Sequence, residues 1–125
     1  MTTTQATPRT TARTRFSFLR AALALQTLTI FVQAVSAGLL FSTEYGGLLH
    51  DVGARVMYGA SMLYLLAAVL EWKPGGGSPR AVWYASGFLV LASVQVVAGI
   101  AHLSPVHVPL GVLMFGASLA ALVRR

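Results

Sequence analysis

Two histidines head the stretches of this chain whose residue types and spacing could do chemistry. The first stretch is His50-Asp51-Val52-Gly53-Ala54-Arg55-Val56-Met57-Tyr58-Gly59-Ala60-Ser61. The second is His107-Val108-Pro109-Leu110-Gly111-Val112-Leu113-Met114-Phe115-Gly116-Ala117-Ser118. Both read His, an interval, then Met, an aromatic residue, Gly, Ala and Ser. On a helix, positions 4, 7 and 11 after each His fall within about 40° of it. Ala54, Met57 and Ser61 therefore lie in one stripe below His50, and Gly111, Met114 and Ser118 in one stripe below His107. Neutral imidazole is a good donor to iron. One imidazole from each of two facing helices is the donor set of a bis-His haem b, with His50 and His107 on the iron. In that arrangement Ala54 and Gly111 leave space beneath the ligands, and the polarizable Met57 and Met114 line the macrocycle edge. Arg55 is placed to reach a propionate.

The same residues have a plainer reading. Small residues recur between membrane helices because they let backbones approach closely, so the repeated Gly-Ala-Ser could serve packing alone. His102 is the rival ligand, but it has no counterpart in the first half of the chain and is expected to be interfacial. A Zn²⁺ or Cu²⁺ site built from the three histidines and Asp51 is the third option, although the spacing matches no metal motif. Asp51 and Arg55, four apart, are expected to pair along one helix face. Gln26, Gln33 and Gln95 are expected to hydrogen-bond between helices. With no cysteine there is no thiolate ligand or catalytic thiol, and no Ser-His-Asp triad, phosphate-binding loop or carboxylate pair is present. An enzymatic role is not expected.

Apolar runs must position these residues. The 125-residue chain is 56% hydrophobic and only 10% charged, against roughly 25% charged in a soluble domain. The pattern predicts four spans, at about residues 21–41, 48–70, 81–102 and 106–123, each near the length that crosses hydrocarbon. Residues 1–20, rich in Thr and Arg without acidic residues, read as a disordered basic tail. The first run is longer than a signal-peptide core and is expected to be retained. Ser42–Gly47 and Pro74–Arg80 are turn-rich connections, and Leu103-Ser104-Pro105 separates the last two spans. The net charge of +6 comes from basic residues at span ends, with no stripe of the kind that binds nucleic acid. Arg9, Arg13, Arg15, Arg20, Lys73, Arg80, Arg124 and Arg125 fall on one side, Glu44 and Asp51 on the other. The positive-inside rule then predicts cytoplasmic N- and C-termini in a bacterial cytoplasmic membrane.

The arrangement Gln33…Gly38…His50 and Gln95…Gly99…His107 resembles one four-helix half of the haem A synthase family. The resemblance covers residues 21–125. It implies haem-binding histidines at the outer ends of the second and fourth helices, hence His50 and His107. The chain departs from that family at Gly47, where the substrate half carries Glu, and in lacking the outer-loop Cys pair. A second four-helix half is also missing, unless two copies associate. What the resemblance implies is haem binding or electron transfer, without oxidation of the haem.

The expected fold is thus an all-α integral membrane protein, a four-transmembrane-helix bundle of two tandem two-helix repeats. The expected function is haem b-based electron transfer or haem handling in the lipid bilayer, as a homodimer or part of a larger membrane complex. The alternative is a non-catalytic membrane subunit or scaffold whose repeat serves helix packing.

Overall fold

Ser17 sets where the first helix starts. In the computed structural model, which describes residues 17–125, its hydroxyl accepts the Arg20 backbone N–H at 3.1 Å, a cap that satisfies one of the helix's orphan donors. Helix α1 therefore runs Phe18–Leu39, three residues earlier than its hydropathy implies. Residues 18–20 belong to α1 and not to the basic tail; the rest of the expected tail, with Arg9, Arg13 and Arg15, lies outside the described residues. The other helices are α2 (Gly46–Trp72), α3 (Arg80–Ile100) and α4 (Ser104–Val123). α2 and α4 each begin two residues before their expected starts. All four are long and apolar enough to cross a membrane.

Each helix end has a local cause. Pro74 follows the α2 C-cap, and the Gly75-Gly76-Gly77 run after it reaches positive φ at Gly76. α3 ends in a Schellman motif: the His102 N–H donates to the Gly99 carbonyl at 3.1 Å and the Leu103 N–H to Ala98 at 2.9 Å. His102 occupies the left-handed position, φ 54°. Pro105 sits in the first turn of α4, where its missing N–H costs nothing. Pro109 lies further inside α4 and lacks the N–H that would bond the Pro105 carbonyl.

The helices pack in cyclic order, α1 on α2, α2 on α3, α3 on α4 and α4 on α1. α2 and α4 stand across one diagonal, α1 and α3 across the other. The interior holds two apolar clusters. One contains Ile30, Met57, Phe88, Ala92 and Met114. The other is built largely of alanines, with Leu19, Leu23 and Tyr64; such small side chains let helices approach closely. Outward-facing residues are apolar as well: Val112 is 69% exposed, Val97 64% and Leu28 58%. Apolar residues outside and small ones inside suit hydrocarbon as the surrounding medium.

Candidate paired-histidine site

His50, near the start of α2, and His107, in the first turn of α4, meet across the diagonal. Both are half-buried. Their ring centroids are 6.1 Å apart with the planes 74° to each other. The stripe expected on each helix does bring these two side chains together.

Each histidine is held by a glutamine on the preceding helix. The Gln33 side-chain amide on α1 donates to the His50 backbone carbonyl at 3.1 Å. The Gln95 amide on α3 does the same to the His107 carbonyl at 2.8 Å. The imidazoles are also fixed. His107 Nδ1 lies 2.9 Å from the Gln95 backbone carbonyl. A carbonyl only accepts, so Nδ1 carries a proton, and in the neutral ring Nε2 holds the lone pair. His50 Nδ1 lies 3.0 Å from Ser36 Oγ, and the Ser36 hydroxyl lies 2.9 Å from the Gln33 carbonyl. With Ser36 donating to that carbonyl, its oxygen accepts from His50 Nδ1–H, and Nε2 is again unprotonated. Neither Nε2 makes a hydrogen bond among the described residues.

Glycines allow this closeness. A Cβ on Gly53 would overlap the Gln33 amide, and one on Gly111 would come within 2.9 Å of Gln95 Nε2. A Cβ on Gly99 would meet His107 Cε1 at 3.1 Å. The room at Gly111, expected to serve a ligand, is therefore occupied by the Gln95 amide. Ala54 is half-buried. Met57 and Met114, 4% and 1% exposed, pack into the apolar cluster with Ile30 and Phe88, about 10 Å along the helix from the histidines.

Other candidates lie elsewhere. Arg55 is paired to Asp51 at 2.8 Å with both side chains largely exposed. It sits roughly 140° around α2 from His50, so it is not brought to the imidazole pair. His102 is exposed in the α3–α4 turn. Among the described residues no three His, Cys, Asp or Glu side chains converge, so the three histidines and Asp51 do not form a Zn²⁺ or Cu²⁺ site. The sequence reading missed Ser36, a small polar residue in an apolar run with no motif to mark it. Gln33 and Gln95 do hydrogen-bond between helices as expected; that their acceptors are the backbone carbonyls of the two histidines was not foreseen. Gln26 behaves differently from both: it is fully buried and neither side-chain atom has a partner.

The described residues form an all-helical fold with four apolar, membrane-length helices and one pair of opposed imidazoles. No protein-family model, curated protein or solved structure matches the chain, so its function has to be argued from this geometry.

Proposed function

We propose that this chain is a small multi-pass protein of a bacterial cytoplasmic membrane that holds haem b between His50 and His107, for electron transfer or haem handling. One observation carries the reading: two half-buried imidazoles on different helices meet with ring centroids 6.1 Å apart, each with its Nδ1 within hydrogen-bond distance of a polar partner. Two imidazole nitrogens about 2 Å from one metal place the ring centres roughly 6 Å apart once the ring radii are added. The observed separation is 6.1 Å. Haem b bound by such a pair supplies a one-electron iron couple.

The chain's own residues do the remaining work. Ser36 and the Gln95 carbonyl hold the Nδ1 protons, which keeps both Nε2 lone pairs available and sets the ring orientations. The Gln33 and Gln95 amides brace the turns that carry the ligands. Met57, Met114, Ile30 and Phe88 close the interior below against water. The same amide-to-carbonyl bond in each helix pair supports a tandem duplication of one two-helix unit. Arg20, Lys73, Arg80, Arg124 and Arg125 stand at the helix ends opposite the histidines, which supports cytoplasmic termini. A second copy of the chain or a larger membrane complex would supply the redox partner.

A second reading, a membrane subunit without a cofactor, is favoured by one feature. The interior beneath the histidines is filled by well-buried side chains, and Gly111 opens onto Gln95. The deciding experiment is an absorption spectrum of the detergent-purified protein, expressed with haem precursor, before and after dithionite. A sharp low-spin haem b spectrum, lost in both His50→Ala and His107→Ala, is expected. A colourless protein that also refuses added haem would leave the packing reading standing.

A further inference from the structure

The basic residues that the haem reading leaves unused gather at the opposite end of the bundle. There α2 and α4 end and α3 begins, enclosing a cleft of about 180 Å³ lined by Glu71, Ser78, Arg80, Ala81, Tyr84 and Arg125. Two guanidinium groups share it with one carboxylate. Arg125 Nη1 is 3.5 Å from Glu71 Oε1 and both side chains are partly exposed, a long and weak pair. Arg80 has no ion-pair partner among the described residues. The Ser78 hydroxyl accepts the Arg80 backbone N–H at 3.2 Å, which fixes the loop beside the cleft. α3 starts here with Pro79 as its N-cap, and the positive end of its dipole adds to the local field. Exposed aromatic surface borders the cleft on α3, where Tyr84 lines it and Trp83 stands next to it in the chain.

Cations alone would suit any soluble anion. Cations at the end of membrane-length helices, next to exposed aromatic side chains, suit a ligand with an anionic head and an apolar tail. We propose that this cleft seats an anionic glycerophospholipid, its phosphate between the Arg80 and Arg125 guanidinium groups and its acyl chains along Tyr84. Planar guanidinium groups bind phosphate oxygens in pairs. Glu71 holds Arg125 at the rim and keeps the cleft from carrying the full charge of both arginines when no lipid is present. The site is independent of any cofactor at the histidines.

The test is native mass spectrometry of the full chain released from nanodiscs containing equal phosphatidylglycerol and phosphatidylcholine. A retained phosphatidylglycerol adduct is expected. It should weaken about thirtyfold in the Arg80→Gln/Arg125→Gln double variant and stay unchanged in Lys73→Gln and Arg124→Gln. No preference between the lipids, or equal losses in Lys73→Gln and Arg124→Gln, would overturn the proposal in favour of a diffuse basic surface. Displacement of the adduct by inorganic phosphate added in detergent would overturn it in favour of a soluble anion. Should the double Gln variant fail to fold, the Arg80→Lys/Arg125→Lys variant decides. It keeps the charge but not the paired donors, so a several-fold weakening supports the seat and full retention overturns it.

Discussion

Gln95 and His107 bind each other twice: the glutamine amide donates to the histidine backbone carbonyl at 2.8 Å, and the imidazole Nδ1–H donates to the glutamine backbone carbonyl at 2.9 Å. This reciprocal pair joins α3 to α4 and sets the His107 ring at the same time. Gly111 is what makes room for it. Gly111→Ala should therefore destabilise the protein by about 1–3 kcal/mol, the usual cost of overpacking. Shortening the amide removes the conflict, so Gln95→Ala and Gly111→Ala should couple in a double-mutant cycle by about 1 kcal/mol or more. Thermal unfolding in detergent measures this. Simple additivity would mean that Gly111 does not serve the glutamine.

Gln26 offers the opposite case. Its side chain is fully buried, and both amide atoms are without partners among the described residues. An unpaired buried amide costs about 1–3 kcal/mol. Gln26→Leu, close in volume and without polar atoms, should raise the unfolding free energy by that order. A lower stability in the variant would show that the amide is satisfied in the membrane, by water or by a ligand.

The helices could be read from the sequence because apolar runs of membrane length have few other uses, and the α2–α3 loop because Pro74 and the Gly75–Gly77 run cannot continue a helix; Pro105, read as part of a break, instead opens α4. The α1 start was missed because the tail's basic composition hides Ser17, whose role depends on one backbone N–H three residues on. Of the site, the shared register of His50 and His107 was visible, since their stripes follow from helical periodicity alone. Their supports were visible only in part, as glutamines bonding between helices with no acceptor named. Gln33 and Gln95 precede their histidines by different intervals in the sequence, and whether an amide meets a carbonyl on the next helix depends on packing that periodicity does not specify. The same limit explains Gly111. A glycine one turn below a histidine reads as space, and only the neighbouring helix reveals what fills it.

His102 makes a backbone prediction. It occupies the left-handed position of the α3 Schellman motif with its side chain exposed, where glycine carries no Cβ penalty. His102→Gly should be neutral or stabilising by up to about 1 kcal/mol. His102→Val, β-branched at positive φ, should cost about 1–2 kcal/mol. Both variants should leave any spectroscopic signature of His50 and His107 unchanged. Loss of a haem spectrum in His102→Gly would make His102 a ligand and displace the proposed pair.

The tautomers of the two histidines can be read without any cofactor. His107 Nδ1 faces a carbonyl, which can only accept, so its proton is on Nδ1. His50 reaches the same state only through Ser36, whose hydroxyl accepts from the ring while donating to the Gln33 carbonyl. Nitrogen-15 NMR of histidine-labelled protein, at a pH where both rings are neutral, should show the Nδ1–H form for both. In Ser36→Ala, His50 should shift toward the Nε2–H form that dominates free imidazole side chains, while His107 stays as it was. Under the haem reading the same variant should weaken haem retention by roughly 10- to 100-fold, the usual effect of losing a hydrogen-bond partner behind a ligand, with His50 still present to bind. If His50 is already in the Nε2–H form in the unaltered protein, Ser36 is the donor, the His50 lone pair points at the hydroxyl, and the opposed rings are a packing contact with no preformed ligand pair.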